Sequence, residues 1–154
     1  MPGQLLGILT DIDDTLTTDG AITPDALQAL GALKASGLHV IPITGRPVGW
    51  SEPFAATWPV DAIVAENGAV ALQRSAEVFD QNSPLPNHSK REQLSKIYQQ
   101  DAATRAANYA NMQQVLAQIE REVPGARRAT DSPGRETDIA IDHSEFTHLP
   151  QDAI

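Results

Sequence analysis

The sequence predicts an α/β fold: a parallel sheet covered by helices, followed by a smaller α+β segment. Three observations predict it. Short apolar runs alternate with helical segments through the first half of the chain. Acidic and hydroxyl residues sit where those runs end. Composition then changes at about residue 80, where "DQNSPLPNHS" reads as a Pro/Asn/Ser linker. Strand–helix alternation implies parallel strands, which bind ligands at their carboxyl ends.

Each element has a local reason. "LLGILT", 5–10, is a buried strand bounded by polar residues. "TTDGAI" holds Asp19-Gly20, a tight-hairpin signal. Thr23 caps a helix with Pro24 at its first position and Asp25 in its first turn. Ala26, Leu27, Leu30 and Leu33 recur at helical spacing, and Gly37 ends the run. "LHVIPIT", 38–44, is a second strand, with Pro42 as a blemish because it cannot donate to a ladder. "GRPVGWSEPFAATW" is a loop leading into a helix interrupted by Pro53. "DAIVAENGAVAL" is a third strand, an Asn67-Gly68 turn and a return strand.

Residues 90–122 read as helix-rich with a break near Ala107-Asn108, and Met112, Val115, Leu116, Ile119 and Val123 form an apolar stripe. "TDIAID", 137–142, alternates like a half-buried strand.

Bulk properties exclude several classes. The chain has 154 residues, is 41% apolar and carries a net charge of −9. That composition supports a packed core, and the charge disfavours nucleic acid as a partner while suiting a cation-dependent site. There is no cysteine, hence no disulfide or thiolate chemistry. No basic leader and no apolar run of roughly 18 residues is present, so the expectation is a soluble, cytoplasmic protein without membrane contact.

Asp11, Asp13, Asp14 and Asp19 follow the first apolar run, and clustered like charges beside an apolar strand are costly unless they hold something. A strand-end aspartate can accept a phosphoryl group as an acyl phosphate, with a cation to neutralise charge and an acid near the leaving oxygen. Asp11 and Asp13 suit those roles, and Thr15 can add a hydrogen bond. An acidic loop or a structural cation site is the competing reading.

"DIDDTLT" resembles the D-x-D-x-T signature of the haloacid dehalogenase superfamily, whose members are mostly magnesium-dependent phosphatases. The resemblance implies Asp11 as nucleophile and Asp13 as general acid/base, with Asp11 and the Asp13 backbone carbonyl on Mg²⁺. It places Thr44 of "PITGRP" on the phosphoryl group, followed by Gly45 at the same phosphate/substrate site and by Arg46, which binds substrate or pairs with nearby acids. "ENGA", 66–69, resembles the branch with a large α/β cap after the second motif, which includes sucrose-phosphate and mannosyl-phosphoglycerate phosphatases. Asn67 touches the phosphate site or simply makes its turn.

The implied fold is a Rossmann-like core, incomplete here, in residues 1–79, with an inserted cap in 80–154. The implied activity is hydrolysis of a phosphorylated sugar or similar small metabolite through an aspartyl-phosphate. The family also needs a lysine and a distal acidic pair after the cap. The chain has only Lys34, Lys90 and Lys96 and no such pair, so the expectation is an N-terminal portion of a longer phosphatase. A catalytically incomplete cation- or phosphate-binding or interaction domain, and a phosphomutase, are the alternatives. An incomplete sheet would leave an open edge through which copies associate. Asp142, His143 and His148 match metal ligands by type but read as a surface loop, and Arg127, Arg128 and Arg135 read as a basic turn or as contacts to an anionic substrate.

Overall fold

The computed structural model describes residues 5–75 and 94–153; the expected linker at 80–89 and Lys90 lie outside them. In chain order the elements are β1 (Gly7–Asp11), β2 (Thr17–Thr18), β3 (Ala21–Ile22), α1 (Pro24–Ala35), β4 (His39–Ile43), α2 (Val48–Thr57), β5 (Ala62–Ala65), β6 (Val70–Arg74), β7 (Leu94–Tyr98), α3 (Ala102–Glu122), β8 (Arg127–Arg128) and β9 (Ile141–Asp142). One-turn helices occupy Glu66–Gly68, Ser132–Gly134 and Gln151–Ala153.

The main sheet has the order β1-β4-β5-β6-β7. β1, β4 and β5 are parallel, as expected, and β6 and β7 continue the sheet antiparallel. β2 and β3 form the hairpin that Asp19-Gly20 predicts, both turn residues at positive φ.

The α1 start is as read: the Thr23 side chain accepts from Ala26 N–H, Pro24 opens the helix, and Gly37 follows its end at φ +85°. α1 packs on β4, while α2 packs on β5 and β6. The core comprises Val40, Ile63, Ala65, Val70 and Leu72 of the sheet with Val48, Ala55 and Trp58 from α2 and its end. Trp50, Phe54 and Trp58 pack successively along α2, the first pair edge-to-face and the second tilted, with centroids 4.6 and 4.8 Å apart.

Pro42 lies inside β4, flanked by β1 and β5. Its missing donor is on the side facing β5, since Val40 and Thr44, two residues either way, bond in that direction. There the ladder is already thin: only Ile43 and Val64 pair, and Val40 N–H donates to the Asp61 carboxylate at 2.7 Å instead.

Asp61 also takes Lys34 Nζ at 2.5 Å. Burial opposes ionisation, but Lys34 and Val40 outweigh it and hold the Asp61 carboxyl below its ordinary 3.8. A lowered folded-state pKa contributes stability that is present above the unfolded value and lost as pH falls through the folded one. Thermal melts from about pH 7 to about pH 3 should therefore show the wild-type advantage over Asp61→Asn shrinking below about pH 4. A gap independent of pH would rule this linkage out.

Four expectations need correction. Residues 94–98 are not helical: β7 pairs with β6 along its length. α3 runs unbroken through Ala107 and Asn108. Only Ile141 and Asp142 of "TDIAID" form a strand, paired with Arg128 and Arg127. β1 is not covered on both faces: Leu5, Leu6 and Leu9 are 65%, 70% and 66% exposed. Its outer edge is open, as expected: among the described residues no strand pairs with it.

Candidate active site

The three parallel strands end together, and each delivers part of one cluster. At the end of β1 the chain turns tightly around the Ile12 carbonyl, which accepts from the N–H groups of Thr15, Leu16 and Thr17 and from Thr17 Oγ1. Ile12 is fully buried, so this turn is anchored from below. Asp14 takes the left-handed conformation, φ +56°, and its N–H donates to Thr17 Oγ1. Thr17, which no motif marks in the sequence, staples the turn through these two contacts.

Asp11 and Asp13 thereby flank the strand end. Thr15 Oγ1 donates to Asp11 Oδ2 at 3.3 Å. Asp13 accepts from Thr44 Oγ1 at 3.1 Å and from Arg46 Nε at 2.9 Å. Thr44 in turn accepts from Arg46 N–H at 3.0 Å. Asp13, Thr44 and Arg46 thus form a closed triangle joining the loops after β1 and β4. The Arg46 guanidinium also lies 5.6 Å from the Trp50 ring centroid, within cation–π range.

The loop after β5 holds this arrangement. Asn67 N–H donates to the Thr44 carbonyl and Glu66 N–H to the Arg46 carbonyl. Glu66 and Asn67 are both left-handed, at φ +49° and +56°. Gly45 fits because a Cβ there would lie 2.9 Å from Asn67 Oδ1. The Gly45 N–H has no acceptor among the described residues, in contrast to the N–H groups of Thr44 and Arg46 on either side. Leu9, Thr10, Asp11, Ile43, Thr44, Gly45 and Asn67 line an open pocket of about 460 Å³ at this sheet end.

All the sequence-read residues therefore converge: Asp11, Asp13, Thr15, Thr44, Gly45, Arg46 and Asn67. Asn67 also reaches Asp138 at 3.4 Å. Of the other candidates, Arg135, Asp142 and His143 line a neighbouring pocket with Asp13, Gly45 and Arg46. The Asp142 carboxylate is buried and accepts from the N–H groups of Ser144, Glu145, Phe146 and Thr147, so it builds its own loop. Arg128 pairs with Glu120. Arg135 spends its guanidinium on Asp131, Asp138 and the Gly45 carbonyl. Burial opposes its charge, yet the two carboxylates outweigh it and raise the Arg135 pKa above the ordinary value. Burial, joined by the nearby Glu66 charge, raises Asp138 above the usual carboxylate value despite Arg135. Lys34 pairs with Asp61, and Lys96 with Glu52 and Glu136, so neither reaches the cluster.

For a hard cation the available donors are the Asp11 carboxylate and the Asp13 main-chain carbonyl, to which no described residue donates. Oxygen donors of this kind and number fit Mg²⁺, which is commonly held by one or two carboxylates, several waters and substrate phosphate. Among the described residues no cluster of three or more acidic or histidine side chains is arranged to hold a metal by itself.

Comparisons with known proteins bear on the fold and the family. A protein of Streptococcus pyogenes serotype M6, named as a candidate phosphatase, is 50% identical over 42 residues, 27% of this chain and 16% of that protein. A Thermoplasma acidophilum protein of known crystal structure superposes with a TM-score of 0.61 at 15% identity, over 90% of this chain and 52% of its own. A phosphatase of the haloalkanoate superfamily from Bacteroides thetaiotaomicron is 26% identical, with a TM-score of 0.39, over 47% of this chain and 28% of that one. This chain thus spans about half or less of the length of these proteins. The haloacid dehalogenase-like hydrolase family matches residues 8–145, from β1 through β9, and the chain belongs to that family.

Proposed function

We propose that the chain carries the phosphoryl-transfer site of a magnesium-dependent phosphomonoesterase. The observation that supports it most is the meeting of Asp11, Asp13 and Thr44 at the ends of adjacent parallel strands. The substrate phosphate sits against Thr44 Oγ1 and the free Gly45 N–H. An Asp11 oxygen attacks phosphorus, the bond to the leaving oxygen breaks, and that oxygen takes a proton from Asp13. Water then attacks the phosphorus of the aspartyl-phosphate and gives its proton to Asp13, and Asp11 is released with inorganic phosphate. Substrate phosphate draws Thr44 and Arg46 onto its oxygens, freeing Asp13 for these transfers. Mg²⁺, held by Asp11 and the Asp13 carbonyl, supplies neutralisation of the phosphate and carboxylate charges.

The substrate class proposed is a phosphorylated sugar or similar small metabolite. Residues 1–79 are proposed as core and 80–154 as cap, although β7 adds to the core sheet. No described helix is long and apolar enough to cross a membrane, and a cytoplasmic setting is part of the proposal. Lys34 and Lys96, engaged away from the cluster, favour a second reading: phosphate binding without turnover. One assay separates the two. Hydrolysis of p-nitrophenyl phosphate that disappears with EDTA and returns with Mg²⁺ supports the phosphatase. Phosphate binding with no hydrolysis at any Mg²⁺ concentration supports the second reading.

A second copy of the chain is the proposed partner of the outer edge of β1. Open strand edges template pairing, and Leu6 and Leu9 lie exposed beside this one. Light scattering should show mass rising with protein concentration, and Leu9→Lys should suppress the rise. A monomer at every concentration would remove this partner.

A further inference from the structure

Glu66 is a buried carboxylate that the proposed chemistry does not use. It is only 2% exposed, beside a solvent-open site. Its two oxygens satisfy four donors from two distant segments. Oε1 accepts from Val48 N–H at 3.0 Å and Glu136 N–H at 2.9 Å. Oε2 accepts from Thr137 N–H at 2.6 Å and from Thr137 Oγ1. One carboxylate therefore joins the start of α2 to a segment that lies 70 and 71 residues beyond Glu66 itself.

The loop between β4 and α2 is fixed from the same side. Its three consecutive carbonyls each accept a hydrogen bond: Thr44 from Asn67 N–H, Gly45 from Arg135 Nη1 at 3.2 Å, and Arg46 from Glu66 N–H. Two of these donors lie on the Glu66-Asn67 turn, and the third lies next to Glu136 and Thr137. Asn67 Nδ2 adds a bond to Asp138. A displacement of segment 135–138 would thus strip both the Gly45 carbonyl and the Glu66 carboxylate of partners.

We propose that Glu66 is a positioning residue that locks the 44–46 loop and the 135–138 segment into one unit, so that the segment's docking sets the geometry of the anion-binding loop. The anion-binding role of the loop rests on the phosphatase reading; the coupling rests on the hydrogen bonds alone. An unpaired buried carboxylate is costly, so cutting the segment away should loosen the whole Glu66 shell rather than one bond. Gln at this position keeps one acceptor and sets an amide N–H₂ against two donors. Val at 137 keeps shape and removes only the hydroxyl donor.

The test is residue-resolved amide hydrogen exchange on the wild-type chain, Glu66→Gln, Thr137→Val and Thr137→Ser, with inorganic phosphate titration beside it. Glu66→Gln and Thr137→Val should each lower protection of the Arg46 and Val48 amides by about tenfold or more, together with Glu136 and Thr137. Val40 and Leu72 should stay protected, which a general loss of stability would not allow. Thr137→Ser keeps the hydroxyl and should behave as wild type. Phosphate affinity should fall in step with Arg46 protection. Thr137→Val that opens 136–137 but leaves Arg46 and Val48 protected would overturn the coupling. A wild-type chain that binds no phosphate would overturn the phosphatase reading, and the exchange data alone would then decide the coupling.

Discussion

Asp11→Asn is expected to lower phosphatase turnover by about a thousandfold or more, because on the proposed mechanism it removes the nucleophile rather than a supporting contact. The amide is nearly isosteric. Among the described residues the Asp11 carboxylate has one side-chain partner, Thr15 Oγ1, which an amide oxygen can also serve. The fold should therefore survive, and the melting temperature should move little. A variant that retained a tenth of wild-type turnover would exclude Asp11 as nucleophile, wherever the phosphate binds.

Asp13→Asn is expected to cost about a hundredfold to ten-thousandfold, with a dependence on leaving group. Expulsion of an alkoxide needs a proton, whereas p-nitrophenolate leaves nearly unaided. Activity on an alkyl phosphate should collapse, and activity on p-nitrophenyl phosphate should fall much less. Asp13 also anchors Thr44 and Arg46, so part of any loss is positional. The ratio between the two substrates separates the roles, since misplaced phosphate penalises both alike. Equal losses would remove Asp13 as the acid and leave it as an anchor.

The grouping of the candidate site's residues was legible in the sequence where they are close along the chain. Asp11, Asp13 and Thr15 lie in one short run, and strand–helix alternation brings Thr44 and Asn67 to the same sheet end. Hairpins, caps and turns were legible for the same reason: Asp19-Gly20, Thr23-Pro24 and Asn67-Gly68 each fix the backbone by their own conformational preferences.

What was not legible depends on distant partners. "LSKIY" has no strong local preference, and pairing with β6 makes it a strand. "TDIAID" alternates like a strand, but the Thr137 N–H goes to the Glu66 carboxylate instead of a ladder. Glu66 itself was readable only as a charge ending an apolar strand, and its partners at 136 and 137 have no sequence mark. The open edge of β1 was anticipated, whereas the exposure of its face was not, because an apolar run shows only that burial would be favourable.

In the proposed reaction the carboxylate at the end of β1 becomes phosphorylated. The most direct measurement is rapid acid quenching of the protein during turnover of a reactive aryl phosphate, followed by peptide mass mapping. One phosphoryl adduct is expected on the peptide carrying Asp11, dependent on Mg²⁺ and absent in Asp11→Asn. Turnover with no adduct under any quench condition, or with the adduct on another residue, would contradict it.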